Sequence, residues 1–323
     1  MNNLPFIEKY RPHTLEDVIM PELLRKKFNK IIENQDIENM IIVGSSGIGK
    51  SAIVKIIANG IYKQYYRDAV LQLGLMEDRG IKFMQNSVGQ YCKTKISYTK
   101  KDEKKFPKYK LIIFDESDDM VSREQDIISN VMDSYKEQIR FIFTCNSASN
   151  INESIQSKCS ILHIPTLSEN NIINRLEFIC NNEEIKYDLD SLKLISSRSL
   201  GDIRSAIHKL EFISKLNKEI NESNIQNLFN IPQEIVIKNL FNHIIEKNLK
   251  GSIKIVTNLK QNSYSGSDIT LSMLHVIKMC NFIPENIKIK LANEICKGIH
   301  NISNVCDSDL QLISCITNMI LCL

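Results

Sequence analysis

Between residues 36 and 165 the chain alternates short apolar runs with stretches whose apolar residues recur at helical spacing. Ile41-Ile42-Val43, Leu111-Ile112-Ile113-Phe114 and Phe141-Ile142-Phe143-Thr144 have the character of buried strands, and 71–75 and 161–164 are two further candidates. Ahead of them, Leu23, Leu24, Phe28, Ile31 and Ile32 fall on one face of a helix expected over 21–34. A second helix is expected over 51–65. Strands alternating with helices predict an α/β domain with a largely parallel sheet. Beyond Pro165 the pattern turns helical, with helices expected over 168–181, 190–197, 201–216 and 222–229. Asn230-Ile231-Pro232 reads as a boundary, and the rest is helical, with faces such as Ile235, Leu240, Ile244 and Leu310, Ile313, Ile316, Ile320. The expected organisation is an α/β domain (1–165), a small helical domain (166–231) and an all-α domain (232–323).

Composition narrows the class without naming a chemistry. A chain of 323 residues that is 43% hydrophobic and 24% charged fits an ordinary globular protein of two or three domains. It has no uninterrupted run of about 18 apolar residues, and the apolar end, 313–323, is too short to span a bilayer. That end reads as a buried helix or a subunit interface. The N-terminus carries charges and a proline rather than an apolar leader. Nine cysteines lie scattered with no C-x-x-C pair, as reduced thiols would. The expectation is a soluble, intracellular protein with no membrane partner. Net charge is +3, so any nucleic-acid site must be a local patch. Residues 93–110 hold eight lysines against Asp102 and Glu103; a solvated loop is the simpler reading, a nucleic-acid backbone contact the alternative.

The candidate chemistry begins where the first strand ends. Gly44, Ser45, Ser46, Gly47, Ile48, Gly49, Lys50 and Ser51 fit G-x-x-x-x-G-K-[ST] at every fixed position, between a strand and a helix. Small residues let backbone N–H groups turn around a polyphosphate, and the helix that follows points its positive end at the same anion. Lys50 would sit between β- and γ-phosphates, and Ser51 would offer a hydroxyl to Mg²⁺. About sixty residues on, Asp115 and Glu116 emerge at the end of an apolar strand, where ligands of open parallel sheets bind. Asp115 is placed to hold the Mg²⁺ shell and Glu116 to orient water toward the γ-phosphate. Asn146, ending the next strand, either holds that water or serves as a turn residue.

Taken together, these motifs resemble the AAA+ ATPases, and among them the small subunits of replication factor C, the sliding-clamp loader. The segment Pro5-Phe6-Ile7-Glu8-Lys9-Tyr10-Arg11-Pro12 is similar to their N-terminal box, Glu77-Asp78-Arg79-Gly80-Ile81 to a short acidic-Arg-Gly box, and Asp115-Glu116-Ser117-Asp118 stands where they have Asp-Glu-Ala-Asp. Asn146 matches the first sensor, and Gly201-Asp202-Ile203-Arg204 the second. The resemblance implies an AAA+ domain, a helical lid and a helical collar. It implies ATP and Mg²⁺ as cofactors, with Tyr10, Arg11, Pro12 and Val18 beside the base. Lys50, Asp115, Glu116, Asn146 and Arg204 would act on the phosphates. The implied partners are other clamp-loader subunits in a hetero-pentamer, a ring-shaped, PCNA-like sliding clamp and primer–template DNA. Arg79 and Lys82 are candidate DNA contacts, and Met84, Val88 and Tyr91 candidate clamp contacts or core packing. The site of action would be a nucleus or a viral replication site.

Two departures stand out. The family's Ser-Arg-Cys, whose arginine acts in trans on a neighbour's ATP, reads Ser157-Lys158-Cys159 here, and a usual pair of arginines reads Ser129-Asn130. Lysine keeps the charge but lacks the planar fork, so weak stimulation of the neighbouring site is expected. The alternatives are an ATP-binding scaffold subunit with little turnover, a checkpoint-clamp or helicase loader, and a metabolic kinase using the same loop. The intact Glu116 speaks against the scaffold, and the Arg204 box against the kinase.

Overall fold

Two stretches of chain pack as separate units, Met1–Ile220 and Asn221–Leu323. The computed structural model describes residues 4–74, 88–94, 96, 106–216, 219–220, 234–280, 283–304 and 308–323. In the first unit, α1 (Phe6–Lys9) and α2 (Glu22–Asn34) precede β1 (Met40–Val43), and α3 (Lys50–Tyr62), α4 (Tyr66–Ala69), β2 (Val70–Leu73), α5 (Gly89–Lys93) and β3 (Lys110–Phe114) follow. Next come α6 (Ser122–Ser134), β4 (Ile139–Cys145), α7 (Glu153–Gln156) and β5 (Ser160–His163). Helices α8 (Glu169–Asn182), α9 (Leu189–Ser197) and α10 (Ile203–Leu216) pack together, beside two short strands, β6 (Lys186–Tyr187) and β7 (Glu219–Ile220), paired in parallel.

The five long strands pair in parallel in the order β2-β3-β4-β1-β5. Successive strand residues face opposite sides of a sheet. Met40 and Ile42 of β1 accordingly join a cluster with Phe28, Ile53 and Ile57, while Ile41 and Val43 join one with Ile112, Phe114 and Ile128. Both faces are covered, which is why the strands read as unbroken apolar runs rather than alternating ones. The order also seats the carboxyl end of β4 between those of β1 and β3, which decides what meets at the site.

Among the described residues the α/β pattern expected over 36–165 is the one observed, with strand ends shifted by one or two residues and the helix expected over 51–65 ending at Tyr62. The helix expected over 222–229 and the boundary at 230–232 lie outside the described residues.

The second unit holds α11 (Glu234–Ile245), α12 (Leu249–Gln261), α13 (Gly266–Met279), α14 (Glu285–Asn304) and α15 (Asp309–Leu321) around one apolar core. Two expected faces need correction. Ile235 is 68% exposed and Leu310 78% exposed. The stripes that reach the core are Ile237, Leu240, Phe241, Ile244 on α11 and Leu312, Cys315, Ile316, Met319 on α15, each spaced i, i+3, i+4, i+7. Helices α14 and α15 approach closely at Gly298, where an added Cβ would stand 2.6 Å from Cys315 Sγ. Among the described residues no helix is long and apolar enough to cross a membrane.

Candidate functional site

The glycine loop leaves β1 still paired, Gly44 N–H donating to the Cys145 carbonyl at 3.2 Å. It then turns through Gly47 (φ 72°) and Gly49 (φ 98°), both in the left-handed region, into α3. At Gly47 no side chain would fit, because a Cβ would meet Asp202 Oδ1 at 1.8 Å. No side chain caps α3, so its first-turn N–H groups keep the orphan character of a helix start. Ser45 Oγ is buried without a hydrogen-bond partner among the described residues. A cradle of this kind, with an unanswered hydroxyl and an uncapped helix start, fits a bound anion.

Lys50 is 8% exposed, and Nζ donates to Gly44 O (2.7 Å), Ser45 O (2.9 Å) and Asn146 Oδ1 (2.9 Å). All three acceptors are neutral. Burial pulls the ammonium below its ordinary pKa, opposed by the field of Asp118 first, then Cys145, Asp115 and Glu116.

Across the cleft, Asp115 follows β3 and stays in the ladder through its N–H to Leu73 O at 3.0 Å. Its Oδ1 accepts from Ser51 Oγ at 2.8 Å and from Thr144 Oγ1 at 2.5 Å. The Thr144 hydroxyl in turn accepts the Glu116 N–H at 3.0 Å. Glu116 is left-handed (φ 55°, ψ 54°), an uncommon state for a side-chain-bearing residue that costs about 1–3 kcal/mol. Asp118 accepts from Asn146 N at 2.6 Å and Ser147 N at 3.2 Å, fixing the backbone that carries Asn146. Two hard oxygen ligands, the Ser51 hydroxyl and the Asp115 carboxylate, thus touch at the mouth of the loop, a donor set that suits Mg²⁺.

Lys50, Ser51, Glu116, Asp118 and Asn146 line one cleft of about 280 Å³, together with Tyr10, Arg11 and Pro12 and with Arg204 from the first turn of α10, while Asp115 lies behind Ser51. A smaller apolar cleft of about 80 Å³ adjoins it, lined by Tyr10, Pro12, Val18, Ile48 and Gly49 with Arg175. The N-terminal segment is fastened to the helices that carry Arg204. Phe6 N donates to Glu211 Oε2 at 3.0 Å, Tyr10 OH to Glu183 Oε1 at 2.5 Å, and Arg175 Nη2 to Tyr10 O at 2.9 Å. Burial first, and then Glu183, pushes the Tyr10 phenol well above its usual range.

Lys158 lies apart from the cleft-lining groups. Its Nζ donates to Ser129 O (3.0 Å), Ser129 Oγ (2.8 Å) and Asp133 Oδ2 (2.7 Å) on α6. The two family departures therefore meet: the serine that stands for an arginine receives the lysine that stands for another.

The clamp-contact expectation needs correction at Val88. It is 2% exposed and packs in the sheet core with Cys92 and Phe114, so its side chain is structural. Tyr91 packs against the same core, with Lys110 Nζ 4.1 Å over its ring. Lys110 is itself 5% exposed, so the far end of the lysine-rich run is not solvated loop. Arg79, Lys82 and Met84 lie outside the described residues. Sequence reasoning missed Thr144, Arg175 and the anchoring role of Asp118. A hydroxyl at the end of an otherwise apolar strand was the available signal for Thr144.

Two family models match the chain: the ATPase family associated with various cellular activities (AAA) over residues 40–165, and the replication factor C C-terminal domain over residues 232–318. A putative replication factor C small subunit of Acanthamoeba polyphaga mimivirus is 31% identical over 319 residues, covering 99% of this chain and 97% of the relative. Replication factor C subunit 4 of Saccharomyces cerevisiae is 31% identical over 293 residues, covering 90% and 88%. Among solved structures, the Thermotoga maritima RuvB Holliday-junction branch-migration motor superposes with a TM-score of 0.53 at 14% identity, over 73% of this chain and 79% of that one. At that identity the likeness is one of fold.

Proposed function

The chain belongs to the replication factor C small subunits, AAA+ ATPases of the clamp loader, and from that premise we propose that its cleft hydrolyses ATP to load a sliding clamp onto primer–template DNA. Residues 44–51 hold the polyphosphate, with Lys50 presenting its charge to the β- and γ-oxygens. Ser51 and Asp115 would hold Mg²⁺, which would supply neutralisation of the charge developing on the transferred phosphoryl group. Glu116 orients and deprotonates the attacking water, Asn146 positions it, and Arg204 reaches the γ-phosphate from α10. Tyr10, Arg11, Pro12 and Val18 enclose the base. We divide the chain into a nucleotide-binding domain (1–165), a lid (166–231) and an oligomerising collar (232–323).

Members of this family work in multi-subunit complexes. We assign this chain to a hetero-pentamer that grips a PCNA-like ring and is stimulated by clamp and DNA, at a nucleus or viral replication site. Arg79 and Lys82 are our DNA contacts, and Met84 and Tyr91 our clamp contacts. Lys158, bonded to its own α6, contributes weakly to the neighbouring site.

The observation that carries this reading is the Ser51–Asp115 contact at 2.8 Å, beside a loop lysine bonded to neutral acceptors. The test is ATP turnover by the full chain with its co-purified partner subunits, with and without clamp and DNA. Lys50→Ala should weaken nucleotide binding and cut turnover steeply; Glu116→Gln should keep binding and lose turnover. If neither changes turnover by the complex, this subunit is a scaffold.

A further inference from the structure

Strand β4 is buried throughout its last residues, and Thr144 is 0% exposed. A β-branched residue there needs no explanation on packing grounds, and valine would fill the same space. What valine would not supply is the hydroxyl. That hydroxyl has one hydrogen, which goes to Asp115 Oδ1 at 2.5 Å, and it accepts the Glu116 N–H at 3.0 Å. One oxygen thus joins the side chain of the first carboxylate to the backbone of the second. Parallel pairing of β3 with β4 sets this up, because Phe114 is opposite Phe143 and the next residues along are Asp115 and Thr144.

Both bonds bear on geometry that hydrolysis depends on. Asp115 Oδ1 is held from two sides, by Ser51 and by Thr144, which fixes the carboxylate against the loop hydroxyl. The ladder ends with the Asp115 N–H, so the N–H of Glu116, itself left-handed, needs an acceptor elsewhere. Thr144 is that acceptor, and it holds the residue in a conformation its backbone would otherwise leave.

We propose that Thr144 is a positioning residue for ATP hydrolysis: its hydroxyl orients Asp115 toward Ser51 and the metal they would share, and it holds Glu116 in its left-handed turn. This rests on the ATPase reading above. Thr144 is 0% exposed and is not among the residues that line the cleft, so it acts through the two acids.

Three variants of the full chain test it, each read with the co-purified partner subunits. Thr144→Val keeps shape and removes the hydroxyl. Thr144→Ala and Thr144→Ser both remove the methyl and differ only in the hydroxyl, so this pair decides the matter if the valine variant fails to fold. Turnover should fall about 10- to 100-fold in the valine and alanine variants, the size of a lost hydrogen bond to a charged group, and recover in the serine variant. A binding measurement with a fluorescent ATP analogue separates this from a packing defect. Affinity without Mg²⁺ should stay within about threefold of wild type, while the tightening produced by added Mg²⁺ should shrink in the valine and alanine variants and return with serine. Wild-type turnover by Thr144→Val, or equal failure of alanine and serine, overturns the proposal. A wild-type complex without turnover overturns the ATPase reading instead, and the Mg²⁺-linked binding then still decides whether Thr144 orients Asp115.

Discussion

Lys50 and Lys158 are both ammonium groups drawn into the first unit, each with three hydrogen bonds, yet their partners differ in the way that matters. Lys50 donates to two carbonyls and an amide. Lys158 donates to a carbonyl, a hydroxyl and the Asp133 carboxylate. A cation among neutral acceptors keeps a full charge to offer an incoming anion; one joined to a carboxylate is already neutralised. The nearest acids act on Lys50 through the field rather than by contact, with Asp118 foremost. The same residue type is thus left without a contacting counter-ion at one place and serves as a fastening at another.

The largest effect expected from this contrast is at Lys50. Lys50→Ala should lower turnover by about 100- to 1,000-fold, as loss of a preorganised charge does, measured by phosphate release. Asn146→Asp gives Lys50 a direct counter-ion and should make it resemble Lys158, weakening nucleotide affinity by about tenfold in a titration at low salt. Lys158→Ala should leave turnover of the assembled complex within about threefold, while thermal unfolding shows a loss of about 1 kcal/mol from a half-exposed ion pair and its hydrogen bonds. A fall as deep as that of Lys50→Ala would refute the contrast. The smallest effect belongs to Asp133→Asn, which removes the counter-ion and should raise the neighbour's turnover by no more than about twofold.

The sequence made the loop, the two acids and Asn146 legible because each sits where a strand ends, and strand ends can be read from apolar runs. It could not show that Lys158 and Ser129 meet, since they lie on different elements and only packing joins them. Thr144 was hidden for another reason: a β-branched residue in a strand already has an adequate explanation, so its hydroxyl drew no notice. Val88 was ambiguous because a clamp-facing helix and a core-facing one share the same periodicity, and burial alone separates them. Ile235 and Leu310 misled similarly: each is apolar, but each lies two residues before the first core position of its stripe and so on the opposite face of the helix. The N-terminal box was legible as a motif, whereas its bonds to Glu183 and Glu211 needed the fold.

Those bonds carry a consequence for the nucleotide. Tyr10 helps to line both clefts while its hydroxyl is held by Glu183, at the C-terminal end of α8, and its carbonyl by Arg175 on α8. On the proposed reading, the wall against the base and the helix bundle bearing Arg204 are therefore tied, and one does not shift without straining the other. By thermodynamic reciprocity, whatever free energy the base contributes to settling the bundle, the settled bundle returns as tighter hold on the base. On that reading, a neighbouring subunit that moved these helices would change this subunit's grip on its nucleotide without touching it.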